Sequence, residues 1–112
     1  MNHARWKLAR ERRLAEGYTE PPEVTVEREQ IRLAMELGQL VYDRRNELEL
    51  TQDDLARRLG ISADEVESIE VGGALPVTSD LLARLAAALG VGVDVHLAPS
   101  GSTAVSFDTH AA

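Results

Sequence analysis

Residues 51–72, TQDDLARRLGISADEVESIEVG, read as two short helices joined by a glycine turn, and the rest of the chain is arranged around them. Thr51 is a strong N-cap with Asp54 in the reciprocal capping-box position. Gln52, Asp53 and Asp54 fill a first turn where negative charge meets the positive end of the helix dipole. Leu55, Ala56 and Leu59 recur on one helix face, Gly60 can take the left-handed conformation that stops the helix, and Ile61 plugs the corner. Ser62 and Glu65 repeat the capping box, Val66 and Ile69 turn to the core, and Gly72-Gly73 ends the segment. The outward face of the second helix is then Ala63, Asp64, Glu67 and Ser68.

Upstream, Thr25 to Glu47 has the pattern of a long helix. Its apolar stripe is Ile31, Met35, Leu37, Leu40, Val41 and Leu48, with Glu27 and Glu29 in the first turn. Leu33, Ala34 and Leu37 leave a second apolar edge, expected to pack against the N-terminal arm, a second subunit or a bound protein. Gly17 and then Pro21-Pro22 mark Tyr18 to Val24 as a linker. In front of it, Trp6, Ala9, Arg10, Arg13 and Leu14 fall at helical spacings within Met1 to Gly17.

Downstream, Leu75-Pro76-Val77 reads as a loop, and Thr78 or Ser79 caps a helix carrying Leu81, Leu82, Leu85, Ala88 and Leu89 as far as Gly90. The period then falls to two. Val93, Val95 and Leu97 alternate with Asp94 and His96, and Val105 and Phe107 alternate with Ala104, Ser106 and Asp108, around a Pro99–Ser102 hairpin loop. Two strands alone are marginal, so the hairpin should pack on the helices or pair with an edge strand of another chain. The expected architecture is mainly α: a basic N-terminal arm and linker (1–24), a helical domain with an extended first helix (25–90), and a short C-terminal β-hairpin and tail (91–112).

The chain of 112 residues suits one domain with a modest core, and without cysteine it can form no disulfide or thiolate site. There is no run of about 18 apolar residues and no leader with a cleavage site, so a soluble, cytoplasmic protein without a membrane role is expected. His3, His96 and His110 lack metal-ligand spacing, and no nucleophile motif or phosphate-binding loop is present, so a non-enzymatic protein with no cofactor or metal is expected. Charge is unevenly placed. Residues 1–18 hold Arg5, Lys7, Arg10, Arg12 and Arg13 against Glu11 and Glu16, net +3, while the other seven cations and seventeen acids leave residues 19–112 at −10.

The motif resembles the Xre family of helix-turn-helix proteins, the group of lambda repressor and Cro. Thr51, Gln52, Leu55, Ala56, Leu59, Gly60, Ile61, Val66, Ile69, Glu70 and Gly72 stand at its usual spacing, and the flanking helices extend the resemblance over roughly residues 37–90. What the resemblance implies is a lambda repressor-like bundle whose second motif helix enters the major groove of operator DNA. Thr51, Gln52, Arg57, Ser62, Ala63, Asp64, Glu67 and Ser68 are then the expected DNA-facing residues. Glu49 departs from the family, which often has glycine there.

The wider plan of basic arm, leading helix, motif and hairpin resembles the HigA-type antitoxins. That implies a homodimer that represses its own operon and binds a toxin, usually of the RNA-cleaving RelE or HigB-like class. Trp6, Arg10, Arg13 and Tyr18 in the arm are the candidate partner-binding residues, a tryptophan among arginines having the composition of an interface anchor. Against the DNA role, Ser62 to Val71 holds Asp64, Glu65, Glu67 and Glu70 and no cation. Favourable bidentate pairs with guanine or adenine need Arg, Lys, Asn or Gln. The alternatives are a protein-binding helix-turn-helix module that has lost DNA affinity, and a stand-alone repressor with no toxin.

Overall fold

Pro21 stands at the N-cap of a helix that Pro22 opens. The computed structural model describes residues 21–110, in which α1 (Pro22–Glu47) is followed by α2 (Gln52–Leu59), α3 (Ala63–Glu70), α4 (Ser79–Leu89), β1 (Gly92–Leu97) and β2 (Thr103–Asp108). Pro22 sits in the first turn, where its missing N–H has no intrahelical partner to lose, and the Pro21 carbonyl accepts the Val24 and Thr25 amides. Pro22–Val24, expected as linker, is therefore the first turn of α1.

The second half of α1 packs on α3 and α4. Leu37 and Val41 are fully buried with Leu55, Val66, Leu85 and Leu89. The first half packs on β2, where Leu33 joins Val105 in the same core. This inverts part of the expected stripe. Leu33 and Ala34 are buried, while Ile31 and Met35 are exposed, because the hairpin covers the Glu29–Arg32–Leu33 side of the helix. Polar bonds pin that contact: Arg32 donates to the Thr103 carbonyl, and the Thr103 hydroxyl donates to Glu29 at 3.3 Å. The Arg32 guanidinium, bonded to Glu29 at 2.9 Å, holds the Glu29 carboxyl below its ordinary pKa. On the other flank Gln30 accepts the Val77 amide at 3.2 Å, tying α1 to the loop after α3.

Where α1 crosses the end of α3 the two backbones nearly touch. A Cβ built on Gly38 would lie 2.5 Å from the Ile69 carbonyl oxygen and 2.7 Å from that of Glu70. At the end of α1 the Glu49 amide bonds the Asn46 carbonyl and the Leu50 amide the Arg45 carbonyl, a closure that places Glu49 in the left-handed region at φ 56°. A non-glycine residue is strained there by about 1–2 kcal/mol, and glycine loses about 0.4–1 kcal/mol through its freer unfolded chain. Glu49→Gly should therefore stabilise the protein by about 0.5 kcal/mol, raising the melting temperature by a few degrees. A melt at or below wild type would contradict this account of the turn.

The hairpin is antiparallel, with Val93 opposite Phe107, Val95 opposite Val105 and Leu97 opposite Thr103. These six side chains share one face. Helix α1 covers the β2 side of it, burying Thr103 and Val105, whereas Val95 and Leu97 remain exposed.

Candidate nucleic-acid interface

Two helix N-termini face one open groove lined by Arg45, Asn46, Thr51, Gln52 and Ala63 together with the acidic Glu49 and Asp53. At the first, the Thr51 hydroxyl accepts the Asp54 amide and Asp54 accepts the Thr51 amide, both at 3.0 Å, completing the capping box. The bond from the Thr51 amide holds the Asp54 carboxyl below its ordinary pKa. At the second, the Ser62 hydroxyl accepts the Glu65 amide at 3.1 Å, but the Glu65 carboxylate bonds that hydroxyl at 3.3 Å and does not reach the Ser62 backbone. The expected second capping box is thus one-sided. With Asp54 and Glu65 amides taken by the caps, the first-turn amides of Gln52, Asp53, Ala63 and Asp64 have no intrahelical acceptor. Such a pair of helix starts favours anionic oxygen.

A buried ion pair fixes the floor of the groove. Arg45 donates through Nε to Glu70 at 2.6 Å and through Nη2 at 3.0 Å, and its Nη1 donates to the Leu50 carbonyl at 2.9 Å. The two side chains are only 10% and 5% exposed, so this is a bidentate pair inside the fold, and the Glu70 bonds raise the Arg45 pKa. Gln52 donates from one of its two amide N–H groups to the same Glu70 at 3.2 Å, which holds its side chain at the start of α2.

Three other arginines of the domain are turned to helix ends. Arg44 donates to the Leu89 carbonyl at 3.1 Å and Arg58 to that of Ala88 at 2.9 Å, both at the C-terminus of α4. Arg84 donates to the Leu59 carbonyl at 2.6 Å at the C-terminus of α2. Each completes a carbonyl that the helix leaves open and meets the negative end of its dipole. Arg44, Arg58 and Arg84 are thereby held on helix-end carbonyls, and Arg45 on Glu70 and the Leu50 carbonyl. Arg57 ion-pairs with Asp54 at 3.1 Å yet keeps a side chain that is 78% exposed.

The structure gathers Thr51, Gln52 and Ala63 around the groove, and leaves Ser62, Asp64, Glu67 and Ser68 exposed along α3. Two residues outside the expected DNA-facing set belong to the same surface. Asn46, the penultimate residue of α1, lines the groove, and Glu65 is exposed beside Asp64. The candidate partner residues Trp6, Arg10, Arg13 and Tyr18 lie outside the described residues.

A family model described as a helix-turn-helix domain matches residues 36–98, more than half of the chain. The chain belongs to the helix-turn-helix domain family. Membership points to a DNA-binding regulator. No curated protein and no solved structure matches the chain. The matched segment of this helix-turn-helix protein leaves out both the first half of α1 and the whole of β2, the two parts that pack on each other through Leu33, Arg32, Thr103 and Val105. None of the helices among the described residues is long and apolar enough to cross a membrane.

Proposed function

We propose that this helix-turn-helix protein is an antitoxin-type repressor, which docks as a dimer on operator DNA of its own promoter and binds a toxin of the RelE or HigB-like class. The observation that carries the DNA half is the paired start of α2 and α3, with Gln52 positioned by the buried Arg45–Glu70 pair. In this reading Thr51, Gln52, Ser62 and Ala63 meet phosphates through amides and small polar groups, with Arg57 at the rim. Asp64, Glu67 and Ser68 face base edges, where a carboxylate accepts only from the cytosine amino group. The arm, with Trp6, Arg10, Arg13 and Tyr18, covers the toxin in this reading.

The toxin half rests on the resemblance of plan and on charge. A body at −10 suits a partner that is itself cationic, as a protein that grips RNA must be. The same acidity favours a second reading, a protein-binding module with no DNA affinity.

Operator titrations separate the two. Glu67→Gln should narrow the preference for the protein's own upstream duplex over a scrambled one while strengthening binding to the scrambled duplex, since a repelling and base-selecting carboxylate is removed. Arg57→Ala should weaken both duplexes alike. If neither substitution moves the affinity for either duplex, α3 does not enter a groove and the protein-binding reading stands.

A further inference from the structure

The hairpin has two edges, and among the described residues only one is occupied. The Ala98 amide bonds the Ser102 carbonyl at 2.9 Å, directly across the ladder, so by antiparallel alternation the hydrogen-bonded pairs are Gly92–Asp108, Asp94–Ser106 and His96–Ala104. The backbone groups of Val93, Val95 and Leu97 on β1, and of Thr103, Val105 and Phe107 on β2, therefore point outward. On the β2 edge Arg32 caps the Thr103 carbonyl, and α1 lies against the strand. On the β1 edge, among the described residues, no backbone bond to Val93, Val95 or Leu97 is made, and Asp94 through Leu97 are all exposed. Val95 is 41% exposed and Leu97 71%, on the face that elsewhere forms core.

We infer that the β1 edge pairs with the β1 edge of a second copy, in antiparallel register about Val95, to give a four-stranded sheet. The register follows from the strand itself. A two-fold through Val95 sets Val95 opposite Val95 and Val93 opposite Leu97, the residues whose amides and carbonyls point outward, so these are the hydrogen-bonding pairs of the new ladder. It sets Asp94 opposite His96 on the outer face, a carboxylate–imidazole pair made twice. It also brings exposed Leu97 beside the Val93 of the other copy, which packs on that copy's core. A one-residue slip would destroy all three matches. The edge carries no lysine, proline or bulge of the kind that keeps lone edges apart.

This rests on the dimeric part of the proposed function and is tested apart from DNA. Sedimentation of the full chain across a dilution series at mildly acidic pH should show a reversible two-chain species. Val95→Pro should raise its dissociation constant by about 30-fold, the loss of two backbone bonds, with an unchanged circular dichroism spectrum because the Val95 amide is not used inside the hairpin. Asp94→His and His96→Asp should each weaken the dimer, and the double exchange should restore it, which keeps the test decisive if the proline variant unfolds. A monomeric wild type, an unmoved constant for folded Val95→Pro, or a double exchange no better than the singles overturns the inference. A dimer that passes all of these but binds no operator leaves the interface standing and removes the repressor reading alone.

Discussion

Glu70→Ala is expected to destabilise the protein by about 3 kcal/mol, the low end for breaking a buried ion pair. The substitution leaves the Arg45 guanidinium inside the fold with the Leu50 carbonyl as acceptor and the Tyr42 ring 5.4 Å away, having lost bonds of 2.6 and 3.0 Å. For a domain of this size that is a fall of about 12–24 °C in melting temperature. The desolvation cost of the orphaned charge dominates the loss, so replacing both partners should recover much of it: Arg45→Met with Glu70→Leu should melt well above Glu70→Ala. Recovered stability need not restore the groove, because Gln52 loses its Glu70 acceptor in both variants. Thermal melts of the three proteins check this, and a Glu70→Ala melt within a few degrees of wild type would show that the pair is not what locks α1 to α3.

Gly38→Ala should cost about 2 kcal/mol, although alanine inside a helix ordinarily gains about 1 kcal/mol over glycine. The added methyl would sit 2.5 Å from one carbonyl oxygen and 2.7 Å from another, and both belong to α3 backbone that cannot rotate away. Overpacking of this kind costs about 1–3 kcal/mol, and contact with backbone puts it at the upper end, enough to reverse the propensity gain. Gln39→Ala, one residue further on an exposed face, is the control and should change stability by no more than about 0.5 kcal/mol. Denaturant titration of both variants decides it. If Gly38→Ala is as stable as Gln39→Ala, the crossing is looser than the structure shows.

Local chemistry was legible in the sequence wherever it is decided within a few residues. The Thr51–Asp54 capping box, the left-handed Gly60 and the Thr78 cap depend on neighbours along the chain, and the structure has each of them. The change to period two after Gly90 gave the hairpin, and the eleven motif positions gave the helical family fold. What stayed hidden depends on partners far along the chain. Arg44 meets Leu89, Arg58 meets Ala88 and Arg32 meets Thr103, at separations of 30 to 71 residues, so nothing near each arginine marks the distant carbonyl that it holds. The stripe on α1 was assigned to Ile31 and Met35 because both faces of that helix are apolar, and only the docked hairpin selects Leu33. Pro22 read as a break because proline interrupts a helix it does not begin. The acidic surface of α3 was plain from the sequence, and the structure sharpens it by turning the nearby cations away.

The most direct test of the account is fluorescence anisotropy of the full chain on its own upstream duplex at about 50 mM and about 200 mM salt, against a scrambled duplex of equal length. Binding should be tight at the lower salt, favour the upstream sequence, and fall by about 100-fold at the higher, the loss for roughly four neutralised phosphates. Absence of binding to either duplex at the lower salt would contradict the account. The paired helix starts around Thr51 and Ser62 would then be a scaffold feature, and the acidic face of α3 a surface for protein.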